Sequence, residues 1–130
     1  MTTHRPWSLF VAAVLAWLLG IGKCVDRLPQ TPWGKARLEV YSLAGALSLF
    51  RFDVGRYPST AEGLQALVLD PGVANWAGPY LGKKGLQDDP WGREYQYCAI
   101  GSDAFQIWSL GADGKEGGTG EAADIRKENE

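Results

Sequence analysis

A chain of 130 residues with a formal charge of −2 has room for one small domain and a terminal segment, and it lacks the clustered Lys and Arg of a nucleic-acid binder. Its single histidine, His4, removes Ser-His-Asp, Cys-His and His-ligated zinc chemistry from the body of the chain. The two cysteines, Cys24 and Cys98, share no redox or zinc-ribbon spacing, which leaves a mutual bridge or two separate thiols, the thiols being the simpler reading.

Residues 7–22, WSLFVAAVLAWLLGIG, carry no charge. As a helix they would extend about 24 Å, short of a hydrocarbon core of about 30 Å, with Trp7 and Lys23 reaching the interfaces. A retained single-pass anchor is favoured over a cleaved signal, because only Gly20-Ile-Gly22 loosely resembles a cleavage site. A core helix is disfavoured, because the remaining chain is too small to wrap it. Arg5 precedes the segment, and Lys23, Arg27, Lys35 and Arg37 follow it, so charge alone leans toward a cytoplasmic carboxyl side.

Beyond Pro29, Thr31 is placed to cap a helix with Pro32 at its first position. Ala36, Val40, Leu43, Leu47, Phe50 and Val54 then form one apolar stripe, and Gly55 is the expected terminator. Leu38, Leu49 and Phe52 lie off that stripe and offer contact to another subunit. Ser59 and Glu62 read as a capping box opening a short second helix, which Asp70-Pro-Gly72 ends. Residues 73–87 read as loop, anchored by Trp76, Pro79 and Tyr80. Asp88 to Gly92 is turn chemistry, and two alternating runs, Tyr95–Ala99 and Phe105–Ser109, read as a hairpin. A hairpin alone is marginal, so it is expected to pack on the long helix, with room for a third short strand. Asp88, Asp89 and Asp103 sit on turns, where local hydrogen bonding explains an aspartate better than acid–base catalysis does.

The stretch from Ser109 to Ile125 is crowded with glycine, and Asp113 and Asp124 bracket Gly114, Gly117, Gly118 and Gly120. Such a loop can turn carbonyls and carboxylates around a hard cation, calcium being the expected one, with Thr119 and Glu121 as extra oxygens. The Asp113–Asp124 spacing matches an EF-hand loop, but Lys115 and Gly117 occupy two ligand positions, so an EF-hand is rejected.

Arg56-Tyr-Pro-Ser-Thr-Ala-Glu-Gly-Leu-Gln-Ala-Leu67, Trp76-Ala-Gly-Pro-Tyr-Leu81, Asp89-Pro-Trp-Gly-Arg-Glu-Tyr-Gln-Tyr97, Ser109-Leu-Gly-Ala-Asp-Gly114 and Ala123-Asp-Ile125 stand in an order that resembles the major pseudopilins of type II secretion systems, over roughly residues 35–125. The resemblance implies an α+β fold. A membrane helix and an amphipathic helix would pack on a small antiparallel sheet, with a calcium loop near the carboxyl end. It carries over the carbonyls of Leu110 and Ala112 as calcium ligands beside Asp113 and Asp124. It implies a structural, non-enzymatic subunit of a periplasmic pseudopilus. That subunit would be a homo-oligomer held in the inner membrane through residues 7–22, meeting other pseudopilins and inner-membrane secretion components. Neither nucleic acid nor a small-molecule substrate is expected. The family's glycine followed by Phe-Thr-Leu-x-Glu does not stand around Ser8-Leu-Phe-Val-Ala12, and Ala123 replaces a carboxylate beside Asp124. The first departure keeps an alternative in view: an anchored calcium-binding module that does not polymerise. The expected parts are an anchor and connector at 1–28, a globular domain at 29–125 and a frayed tail at 126–130.

Overall fold

The computed structural model describes residues 31–129, and the apolar segment, Pro29 and Cys24 lie outside them. Helix α1 runs Pro32–Val54, and the antiparallel sheet has strands β1 (Gln96–Ile100), β2 (Ala104–Ser109) and β3 (Ile125–Glu128) in that order.

α1 begins where the sequence places it. Thr31 Oγ1 accepts from the Gly34 amide at 3.0 Å, satisfying one of the amides a helix start leaves unpaired. It ends at Gly55, whose φ of 91° sends its amide back to the Arg51 carbonyl. The stripe Ala36, Val40, Leu43, Leu47 and Phe50 is buried, and it meets β2 and β3. Along β2, period-two alternation turns Phe105, Ile107 and Ser109 inward, and Ile125 of β3 joins them. Each buried Leu, Ile or Phe of this core contributes about 1.5–3 kcal/mol relative to exposure. Tyr57, Leu64 and Leu67 close its far side, with Tyr57 edge-on to Phe105 at 4.8 Å between ring centroids.

Two expectations are corrected. The capping box forms: Glu62 N donates to Ser59 Oγ at 3.1 Å and Ser59 N to Glu62 Oε2 at 2.8 Å. No α-helix follows it, only a 3-10 turn, Leu64–Leu67. Gly63 adopts a φ of 62°, which breaks the α run one residue after the box. The segment 126–130 is not a frayed tail through its length, because Arg126, Lys127 and Glu128 pair in β3 with Trp108, Ile107 and Gln106. Charged composition argues for solvent, but a strand needs only its backbone groups and one inward residue, here Ile125. The Arg126 guanidinium also lies 5.5 Å from the Trp108 ring centroid. Asn129 extends the pairing by donating through Nδ2 to the Asp103 carbonyl at 2.7 Å.

Residues 73–87 form no helix or strand, yet they are tied down. Trp76 Nε1 donates to the Ala66 carbonyl at 2.8 Å and the Tyr80 hydroxyl to Asp53 at 2.9 Å. The Tyr80 amide reaches the Leu67 carbonyl at 2.8 Å.

Candidate metal loop and its comparisons

The loop leaves β2 at Ser109 and returns to the sheet at Ile125. Its root is a buried polar knot. Asp89 accepts from Ser109 Oγ at 2.7 Å, and through Oδ1 from the amides of Trp91 and Arg93 at 3.1 and 2.9 Å. Ser109 Oγ accepts in turn from Gly111 N at 3.3 Å. Asp89 is therefore a structural residue of the Asp-Pro-Trp-Gly turn. Asp103 pairs with Arg51 at 3.1 Å on the hairpin turn instead.

The two flanks of the loop close on each other. The Ala112 amide donates to the Glu121 carbonyl at 2.9 Å. A Cβ at Gly111 would stand 2.7 Å from the Ala123 oxygen, and one at Gly118 would stand 2.5 Å from the Ala122 oxygen. Only glycine allows this approach, and both have positive φ, 72° and 91°.

Asp124 turns into the loop. Its Oδ2 accepts from Gly117 N at 3.2 Å and from Arg126 at 2.9 Å, while Oδ1 is buried with no hydrogen-bond partner among the described residues. A buried carboxylate oxygen without a partner is costly unless something positive meets it. Asp113 is exposed, with Oδ1 accepting from the Lys115 amide at 3.0 Å. Leu110 is half-buried, one residue past β2. Ala112 is exposed, and its carbonyl accepts from Arg93 Nη2 at 3.1 Å. Thr119 is exposed and precedes a 3-10 turn, Gly120–Ala122. Glu121 is directed elsewhere: its Oε2 accepts from the Trp33 amide at 3.0 Å, in the first turn of α1. Among the described residues no three His, Cys, Asp or Glu side chains converge, so an ion held here would draw much of its shell from carbonyls. Hard oxygen donors, glycine-permitted curvature and the unpartnered Asp124 oxygen fit calcium.

Arg93 is the residue that sequence reasoning missed. Its guanidinium bridges to the Gly111 and Ala112 carbonyls, and nothing in a turn-forming Asp-Pro-Trp-Gly run announces a contact eighteen residues away.

The family profile of type II secretion system protein G matches residues 23–128. The type II secretion system core protein G of Pseudomonas aeruginosa is 40% identical over 120 residues, covering 88% of this chain and 83% of that protein. The Klebsiella pneumoniae core protein G is 40% identical over 126 residues, covering 88% of this chain and 89% of that protein. Among solved structures, the crystal structure of the major pseudopilin from the type 2 secretion system of enterohaemorrhagic Escherichia coli aligns with a TM-score of 0.57 at 34% identity. That alignment covers 73% of this chain and 81% of the other.

Proposed function

The chain belongs to the type II secretion system protein G family and is a structural subunit of the pseudopilus; from that premise we propose how it is anchored, assembled and held. Residues 7–22 anchor it as a single-pass protein of the inner membrane, with the globular domain in the periplasm. Copies of the chain assemble with one another and with other pseudopilins, and its work is mechanical rather than catalytic.

One observation carries the assembly reading. α1 is apolar on two sides. Val40, Leu43 and Leu47 face the core, while Leu38, Leu49 and Phe52 are exposed by 59%, 56% and 87%. At about 100° per residue, Leu38, Tyr41, Gly45, Leu49 and Phe52 fall in one stripe opposite the core face. A Cβ at Gly45 would meet no atom within 4 Å, so the stripe has a shallow place at its centre. A surface helix with a second apolar stripe is suited to meeting another apolar surface, which favours the polymerising subunit over a free-standing module. The test is Phe52→Asp combined with Leu49→Lys in the whole chain. Melting should be unchanged while pseudopilus assembly and crosslinking between copies are lost. Assembly that persists in the double variant would sink this reading.

We also assign one calcium ion to the loop, with the Leu110 and Ala112 carbonyls and the Asp113 and Asp124 carboxylates as its protein ligands and Thr119 as a further oxygen. The ion supplies a charge that ties the flanks of the loop together. The unpartnered Asp124 Oδ1 supports the assignment. Glu121 is left to α1.

A further inference from the structure

The Arg93 guanidinium sits on the wall of the loop just assigned to calcium. Nη1 donates to the Gly111 carbonyl at 2.8 Å and Nη2 to the Ala112 carbonyl at 3.1 Å. A Cβ at Gly114 would lie 2.8 Å from Arg93 Cζ, so the guanidinium rests against bare backbone. Its root is fixed as well: the Arg93 amide donates to Asp89 Oδ1, and Asp89 is buried and bonded to Ser109. Arg93, Asp89, Ser109 and the Gly111–Ala112 backbone thus form one hydrogen-bonded unit in a half-buried setting. Arg126, the other guanidinium of the loop, binds a carboxylate oxygen and leaves Asp124 Oδ1 free. Among the described side chains, Arg93 alone takes a carbonyl that the ion needs.

We propose that Arg93 is a resident cation of this loop: it holds the Gly111 and Ala112 carbonyls in place when no metal is bound, and its charge weakens calcium binding at the same wall. The inference rests on the calcium assignment above. Two effects compete when Arg93 is removed. Loss of its two hydrogen bonds loosens the carbonyls and would weaken binding. Loss of its charge removes repulsion of the divalent ion and would tighten it.

The geometry decides between them. Other bonds keep the wall in place without Arg93: Gly111 N to Ser109 Oγ, Ala112 N to the Glu121 carbonyl, and Gly114 N to the Gly111 carbonyl. Among the described residues no other charged side chain bonds to the Gly111 and Ala112 carbonyls, and Arg126 stays on Asp124 Oδ2. A divalent ion sharing the Ala112 carbonyl with a guanidinium stands roughly 6 Å from it, where repulsion screened as in water is worth on the order of tenfold in affinity. The guanidinium is planar and permanently charged, so it cannot escape the conflict by losing a proton.

The experiment uses the full chain. Calcium titration calorimetry and thermal melting, with calcium and with EDTA, are compared for wild type, Arg93→Met and Arg93→Gln, the last keeping an uncharged amide on a shorter side chain. In EDTA both variants should melt below wild type. With calcium they should gain more in melting temperature than wild type gains, and their Kd for calcium should fall about tenfold. Binding by the variants alone would also support the inference. Equal or weaker calcium binding in the variants, beside a wild type that binds, overturns the inference and leaves the calcium assignment standing. Absence of binding in all three chains removes the calcium assignment and the inference with it. Variants that fail to fold even in calcium would make Arg93 a folding residue and overturn the inference as well.

Discussion

Trp33 and Glu121 meet across 88 positions of sequence, the Trp33 amide donating to Glu121 Oε2 at 3.0 Å in the first turn of α1. The Trp33 indole donates beside it to the Ala123 carbonyl at 3.1 Å. A carboxylate at a helix start satisfies an amide left unpaired there and complements the helix dipole. Glu121→Ala should therefore cost about 1 kcal/mol of unfolding free energy, with Glu121→Gln, which keeps an acceptor, costing less. Urea unfolding at neutral pH measures both, and an Ala variant as stable as wild type would show that the contact carries no energy.

The Asp89–Ser109 knot should be the most sensitive polar site of the domain. Asp89 is 5% exposed and Ser109 1%, and the aspartate satisfies a hydroxyl and two amides. Asp89→Ala leaves those donors unpaired and should cost about 3 kcal/mol or more, against about 1 kcal/mol for Ser109→Ala. A double-mutant cycle by chemical unfolding should show positive coupling. Additive costs would mean the two side chains do not act together.

Acid should reach Glu62 late in the folded protein. Its bidentate bond with Arg56, at 2.8 Å on each oxygen, outweighs the cost of its burial and lowers its pKa from an ordinary 4.5 to about 2. A carboxylate with a depressed folded-state pKa stabilises the fold above its unfolded value, and that contribution is lost as pH falls from about 4.5 toward about 2. Glu62→Gln should be less stable than wild type at pH 7, and the gap should close across that window. A gap that is constant down to pH 2 would contradict the assignment.

Chelation tests the metal loop. With calcium at about 100 times Kd, binding should add about 2.7 kcal/mol, so EDTA should lower the melting temperature measurably. Asp113→Ala and Asp124→Asn should each remove the difference. A melting curve indifferent to EDTA would count against a bound ion.

What the sequence disclosed was local. Thr31, Pro32, the four-three stripe and Gly55 are all within or beside α1, and each has a short-range physical reason, so the helix was legible from end to end. The turn at Asp89-Pro-Trp-Gly92 and the two hairpin strands were legible for the same reason, with β1 displaced by one residue. What escaped was non-local. A third short strand was allowed for, but its place hides behind Arg126, Lys127 and Glu128 because its partner is β2, not its neighbours. The 3-10 turn at Leu64 depends on one backbone angle at Gly63. In the loop, the residue types and the two aspartates could be read directly. The diversion of Glu121 to Trp33, and the arrival of Arg93 at the carbonyls, depend on how distant segments pack.

α1 is fastened to the rest of the domain near both of its ends. Trp33 bonds to Glu121 and Ala123 at one, and Arg51 bonds to Asp103 at the other, with the Tyr57 amide on the Ser102 carbonyl just beyond. A pull along the helix axis therefore loads these fastenings and the interlocked core between them in parallel, as shear, and does not peel them open one by one. A thrusting filament built from such units would transmit stress from one copy to the next through its helices without unzipping the small sheet that each helix carries.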